Sequence, residues 1–169
     1  MTASDSMRDP AEAAAGFLRA LEKLPAFSGV VFHGLAEVPE ISRARMTNGV
    51  IATSVDPRVA TENFSAPVIA AFLSKTGRDI AAFSAHPGER EVVLPPQILV
   101  RTLSVSTAPD GVTPLVVIEQ LAESPREPWI PSTIDGLVEL VRDRIAAAMA
   151  EPAVEVTTPG KFTDALFFL

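Results

Sequence analysis

Apolar positions change their period several times along the chain, and each change marks an expected element. Over residues 10–24, Phe17, Leu18, Leu21 and Leu24 recur at helical spacing, which predicts a helix with these four as its buried face. Asp9 supplies the cap, Pro10 suits the first helical position, and Pro25 ends the run. "FSGVVFHGL", 27–35, is a short apolar stretch punctuated by glycines and reads as a buried strand. "GVIATSVDP" gives a second strand, and Asp56 then caps a helix through "PRVATENF". Residues 68–73 and 79–84 read as two apolar strands joined by a turn around "KTGRD".

"REVVLPP", "ILVRTLSVS" and "TPLVVIEQL" continue the strands, and Asp110 with Gly111 is the strongest hairpin signal in the chain. Later, Ile134, Leu137, Val138, Val141 and Ile145 return to helical spacing, with Ser132 and Asp135 placed as a capping-box variant. A helix of about five turns is expected there. The end, "AVEVTTPGKFTDALFFL", offers a short strand and then an apolar terminus that needs covering. Helices first and strands clustered after them make an α+β pattern rather than an alternating one.

Composition narrows the chemistry. The 169 residues, 47% of them hydrophobic, suffice for one core plus an extension. A net charge of −7 disfavours nucleic acid and acidic membrane surfaces as partners. No cysteine is present, so disulfides, thiolate nucleophiles and sulfur-ligated metals are excluded. His33 and His86 are the only imidazoles and lie outside any zinc-binding spacing, so no metal site is expected. The N-terminus lacks a signal-peptide pattern and no apolar run approaches the roughly 20 residues of a membrane span. The expectation is a cytoplasmic protein, or one secreted by a route without a classical signal.

Candidate chemistry centres on "GEREVVLPP", where Glu89 and Glu91 stand one residue apart at the head of an apolar run. In an extended strand, residues two apart project to the same face, so both carboxylates would enter one cleft while Arg90 points away. Two close carboxylates push one pKa upward, pairing a base with a permanently charged partner. By itself an E-x-E at a strand edge is equally a solvated face. His33 before Gly34 is equally a satisfied strand histidine, and Thr53 and Ser54 are equally β-formers bonded to nearby backbone.

Taken in order, "LEKLPAFSGVVFHGL", "GVIATSVDPRVATENF" and "DIAAFSAHPGEREVVLPP" resemble the ADP-ribosyltransferase family. Its bacterial toxin-like and arginine-directed members show a strand carrying Arg-Gly or His-Gly, a Ser-Thr-Ser strand followed by a helix, and a Glu-x-Glu strand. The resemblance covers about residues 10–121, leaving 122–169 as a C-terminal helical extension. It implies two small, mainly antiparallel sheets around a cleft for NAD, with flanking helices. By the same resemblance His33 holds the adenosine side of NAD and backbone groups at Gly34 contact the nicotinamide amide. Ala52, Thr53 and Ser54 fall on the Ser-Thr-Ser strand, which supports the nicotinamide ribose and the catalytic glutamate. Glu91 binds the ribose hydroxyl and stabilises the oxocarbenium-like state, and Glu89 orients or deprotonates an acceptor.

The implied function is an NAD-dependent mono-ADP-ribosyltransferase acting on a protein side chain such as arginine, or an NAD glycohydrolase with water as acceptor. The chain departs from the pattern in three places. His33 stands where Glu-x-Glu members carry Arg, Ala52 replaces the first serine, and no tyrosine is present to sandwich nicotinamide. These motivate the alternative of a catalytically degenerate interaction module on the same scaffold, with partner contact or self-association through the C-terminal extension.

Overall fold

The structure, a computed structural model, describes residues 9–40, 44–121 and 133–169. In chain order it contains α1 (Pro10–Glu22), β1 (Ala26–Leu35), β2 (Arg45–Met46), β3 (Ile51–Ser54), α2 (Pro57–Ala60) and β4 (Val68–Asp79). These are followed by β5 (Glu91–Leu94), β6 (Leu99–Thr107), β7 (Pro114–Gln120) and α3 (Ile134–Met149). This is the expected α+β arrangement of mainly antiparallel strands with flanking helices.

β1 and β4 form the spine, paired antiparallel from Val30↔Leu73 to Leu35↔Val68. Successive strand residues face opposite ways, and here both faces are packed. Val31, Leu35, Ala70 and Phe72 enter one cluster with Ile51, Val92, Leu94 and Ile118. Val30, Phe32, Ile69 and Leu73 enter a second, closed by Leu137, Val141 and Ile145 of α3. Hence 29–35 reads as an unbroken apolar run rather than an alternating one, and every residue of it is buried.

The strands join into one network, ordered β1-β3-β5-β4-β7-β6-β2, with β1 also pairing β4. The circuit β1-β3-β5-β4 therefore closes on itself, while β7, β6 and β2 extend from β4. Where two small sheets were expected, the strands form one seven-stranded sheet, folded back on itself through the β1–β4 pairing. β4 and β7 run parallel and the other pairs run antiparallel.

Several local expectations are corrected. β4 is a single strand through 75–79, where a turn was expected. Its polar residues form a bulge, marked by the register shift between Phe27 and Gly29. Ser74 Oγ accepts from Gly77 N at 2.9 Å, and Gln120 Oε1 accepts from the Lys75 and Thr76 amides at 2.9 and 3.1 Å, satisfying the backbone freed from the ladder. The expected strand 79–84 is replaced by a 3-10 turn, Ala81–Phe83, whose first amide bonds Asp79 Oδ1 at 2.9 Å. α2 starts at the expected cap, Asp56, but stops at Ala60, because residues 62–64 all take positive φ. Asn63 there exchanges two hydrogen bonds with the backbone of Val154, at 2.9 and 2.8 Å.

α1 has the expected Asp9 cap, yet of the four expected apolar positions Leu24 lies beyond the helix end, only Leu21 is buried, and Phe17 is 44% exposed. α3 is capped by Thr133, whose Oγ1 accepts from Gly136 N at 3.1 Å. The expected cap, Ser132, lies outside the described residues. Of the helix's expected apolar face, Leu137, Val141 and Ile145 are buried, while Ile134 is 54% exposed. The hairpin at Asp110 and Gly111 forms as expected, with Asp110 Oδ1 accepting from the Val112 and Thr113 amides, both at 2.9 Å. The strand expected within 153–169 is absent as a regular element; an isolated bridge pairs Thr47 with Phe168.

Candidate active site

Glu91 opens β5, but Glu89 does not share its strand. Pro87–Glu89 is a 3-10 turn and Arg90 is left-handed, at φ 49° and ψ 47°. The strand-alternation argument for the glutamate pair is therefore overturned. The left-handed residue changes the chain direction, and the two carboxylates meet by that route. Lys161 Nζ lies 2.7 Å from Glu89 Oε2 and 2.5 Å from Glu91 Oε2. Glu89 Oε1 also accepts from Thr157 Oγ1 at 2.5 Å and Thr158 Oγ1 at 2.7 Å. Both glutamates are buried.

Burial pushes the Glu89 carboxyl up, but the Lys161, Thr157 and Thr158 hydrogen bonds outweigh it and hold its pKa below the ordinary value. Burial pushes Lys161 down, and the two glutamates reverse that, raising it. The pair is thus a charge-assisted cradle occupied by one cation.

β3 positions this cradle from the side. Ser54 pairs with Glu91 and Thr53 with Val92. Ser54 Oγ donates to the Glu89 carbonyl at 2.7 Å and accepts from Asp56 N at 3.0 Å, tying the glutamate turn to the start of α2. Thr53 Oγ1 donates to the Val92 carbonyl at 2.5 Å. Both hydroxyls are turned to the backbone of the glutamate segment.

His33 is buried on β1, with Nδ1 2.8 Å from the Ala52 carbonyl and Nε2 2.8 Å from the Asp164 carbonyl. Burial lowers its pKa, against the opposing pull of those two carbonyls. A neutral imidazole carries one N–H, so it donates to only one of these two carbonyls at a time. Beside it, the Gly34 amide donates to the Phe162 carbonyl at 2.9 Å. A Cβ on Gly34 would stand 2.8 Å from both Ala66 Cβ and Thr163 Cγ2, so only glycine admits this approach.

The sequence-identified residues thus gather around one stretch that sequence reasoning missed, residues 157–164. Lys161 touches Glu89 and Glu91, the Phe162 carbonyl takes Gly34, and the Asp164 carbonyl takes His33. The available signal was "TTPGK". Pro159 and Gly160 are the central pair of a type II turn, with Gly160 at φ 82° and Lys161 N bonded to the Thr158 carbonyl at 3.3 Å. That turn aims the two hydroxyls and the ammonium at one point. His86, on the loop before Glu89, lines an open cavity of about 340 Å³ with Val59, Pro87, Glu89, Val154 and Thr157. A separate, smaller cavity of about 10 Å³ lies between Val59, Glu89, Thr157 and Phe162.

Among the described residues, no group of three or more His, Asp or Glu could hold a metal ion. Nor is any helix among them long and apolar enough to cross a membrane.

No protein-family model and no curated protein sequence matches the chain. Solved structures do. The type III effector XopAI from Xanthomonas axonopodis pv. citri superposes with a TM-score of 0.51 at 24% identity, over 64% of this chain and 52% of that one. Exoenzyme S from Pseudomonas aeruginosa, solved with human 14-3-3 protein beta and carba-NAD, gives 0.54 at 20% identity, over 76% and 64%. Plx2a, an ADP-ribosyltransferase toxin from Paenibacillus larvae, gives 0.53 at 14% identity, over 71% and 76%. The chain has the ADP-ribosyltransferase fold. It spans about half the length of the XopAI chain and under two thirds of exoenzyme S. On an ADP-ribosyltransferase fold the convergence of Glu89, Glu91, His33 and Gly34 lies along the β1-β3-β5 side of the strand circuit.

Proposed function

We propose that the chain is an NAD-dependent ADP-ribosyltransferase that modifies a protein side chain, with arginine as the first candidate, or hydrolyses NAD when water is the acceptor. The observation that carries this reading is the convergence of two buried carboxylates on one cation, 2.7 and 2.5 Å away. Breaking the bond between ribose C1′ and the nicotinamide nitrogen sends the electron pair out with nicotinamide and leaves positive charge on the sugar. A fixed anionic cradle, shielded from water, stabilises that charge most in the transition state. Glu91 is assigned to the ribose and its developing charge. Glu89 is assigned to the acceptor, orienting its nucleophilic atom and taking up its proton. Ser54 and Thr53 act as positioning residues, because each holds a backbone carbonyl of the glutamate segment. His33 and Gly34 are assigned to NAD, through a ring nitrogen and a backbone amide. The partners on this reading are NAD and a protein acceptor.

The test is nicotinamide release from millimolar NAD by the purified chain and by its Lys161→Ala form, each with and without Glu91→Gln. Release that falls on Glu91→Gln supports the assignment; no release from either form, or release indifferent to Glu91→Gln, refutes it. One observation favours the second reading, a noncatalytic module on this fold: the groups assigned to NAD are already engaged by residues 157–164. Phe167 and Leu169, 68% and 62% exposed, then supply an apolar terminus for partner contact. Absence of NAD binding together with a stable oligomer or copurifying partner would select it.

A further inference from the structure

We propose that residues 157–164 form an internal strap that occupies the cleft in place of NAD, so that the resting chain is closed and becomes competent only when the strap lifts. This inference rests on the transferase reading above.

Three observations carry it. The first is chemical matching. Lys161 brings a cation to the two carboxylates assigned to cationic chemistry, and the Phe162 carbonyl takes the Gly34 amide assigned to the nicotinamide amide oxygen. The Asp164 carbonyl takes the His33 nitrogen assigned to the adenosine side. The Lys161 and Phe162 contacts have the polarity of the substrate groups they replace.

The second is space. Between Glu89, Thr157 and Phe162 about 10 Å³ remains, close to the room needed by a single water; the neighbouring cavity of about 340 Å³ reaches Glu89 but not Glu91, His33 or Gly34, whose contacts with the strap fill the place assigned to NAD. NAD and the strap cannot share this volume.

The third is construction. The strap contains no regular element, and its contacts to the site run through side chains and single backbone groups rather than a ladder. It is anchored outside the site at both ends. Upstream, Val154 exchanges two bonds with Asn63. Downstream, the Asn48 amide donates to the Phe167 carbonyl at 2.9 Å and the Leu169 amide to the Met46 carbonyl at 2.8 Å, flanking the Thr47↔Phe168 bridge. Release of the downstream end, held by this one isolated bridge, lets residues 157–164 leave the cleft without unpairing β1, β3, β4 or β5. Burial of Phe162 opposes that movement and keeps the closed form dominant.

When only a fraction of molecules is open, the apparent NAD affinity falls by that same fraction. Lys161→Ala removes two charge-assisted bonds from the strap, so NAD should bind about tenfold tighter or more by calorimetry. A second variant works in the opposite direction. In this cysteine-free chain, Thr47→Cys with Phe168→Cys places two thiols on a non-hydrogen-bonded antiparallel pair, whose Cα separation of about 4.5 Å suits a disulfide. Oxidation should trap the strap and weaken NAD binding about tenfold relative to the reduced form, reversibly on adding reductant. Equal NAD affinity in the wild type, Lys161→Ala and both redox states would overturn the strap while leaving the transferase reading intact. No NAD binding by any form would overturn both.

Discussion

The β1/β4 spine and the last nineteen residues of the chain meet at the same site but are held there by different physics. The spine is fixed by a continuous backbone ladder and by apolar packing on both faces. The C-terminal stretch has one isolated bridge, a type II turn and a handful of polar side-chain bonds. A site assembled from two such regions has one wall that yields only with global unfolding and one that can open locally. Geometry that looks equally complete in both is therefore not equally durable.

The largest effect should come from the durable wall. Phe72→Ala removes a fully buried ring from the cluster shared by β1, β4, β5 and β7, and should lower unfolding free energy by about 3–5 kcal/mol in a denaturant titration. A loss under about 1 kcal/mol would show that the spine is not the stability core. Next, Glu91→Gln should reduce nicotinamide release by about 10²–10³-fold, with the circular dichroism spectrum and thermal midpoint changing little.

Lys161→Ala separates the two regions most directly. It should lower stability by only about 1–2 kcal/mol, since its side chain is about a quarter exposed, while NAD binding improves. A core-sized stability loss would place Lys161 with the spine instead.

Acidification gives a smaller, two-step loss. His33 has a folded pKa below the ordinary 6.5, so the unfolded chain takes up a proton that the folded chain refuses, and stability declines as pH falls below about 6.5. Glu89 is also depressed, from an ordinary 4.5, so its contribution is complete above that pH and is lost as pH falls through its lower folded pKa. Thermal midpoints from pH 7.5 to 3.5 should fall in both windows, and His33→Gln should flatten the first alone. The smallest change is Phe17→Ser on exposed α1, expected within about 0.5 kcal/mol of wild type.

What the sequence made legible divides along the same line. Caps at Asp9 and Asp56, the Asp110-Gly111 hairpin and the apolar run 29–35 are local signals, each with a local physical cause, and all reappear in the structure. β4 was misread because "KTGRD" has turn chemistry, and the sequence does not show that Gln120, some 45 residues away, will satisfy a bulge there. Glu89 and Glu91 were paired for a reason the structure replaces. An extended strand was assumed, whereas Arg90 in the left-handed region brings them together. Within 153–169 the sequence predicts a short strand and an apolar terminus, and gives residues 157–164 no part in the site. Their partners lie about 70 to 130 residues away, beyond the reach of any periodicity or motif.

His33 and Gly34 sit within a strand that has no free face, since each residue from 29 to 35 is buried. A sequence drifting away from activity would still be obliged to keep this strand, because changing position 33 or 34 disturbs the core as much as the cleft. Finding the same histidine and glycine in a distant cousin would therefore testify to folding as readily as to catalysis. Positions 89, 91 and 161, joined through the two ion pairs of Lys161, are the informative ones. Whether they change together or separately would tell a working enzyme from its fossil.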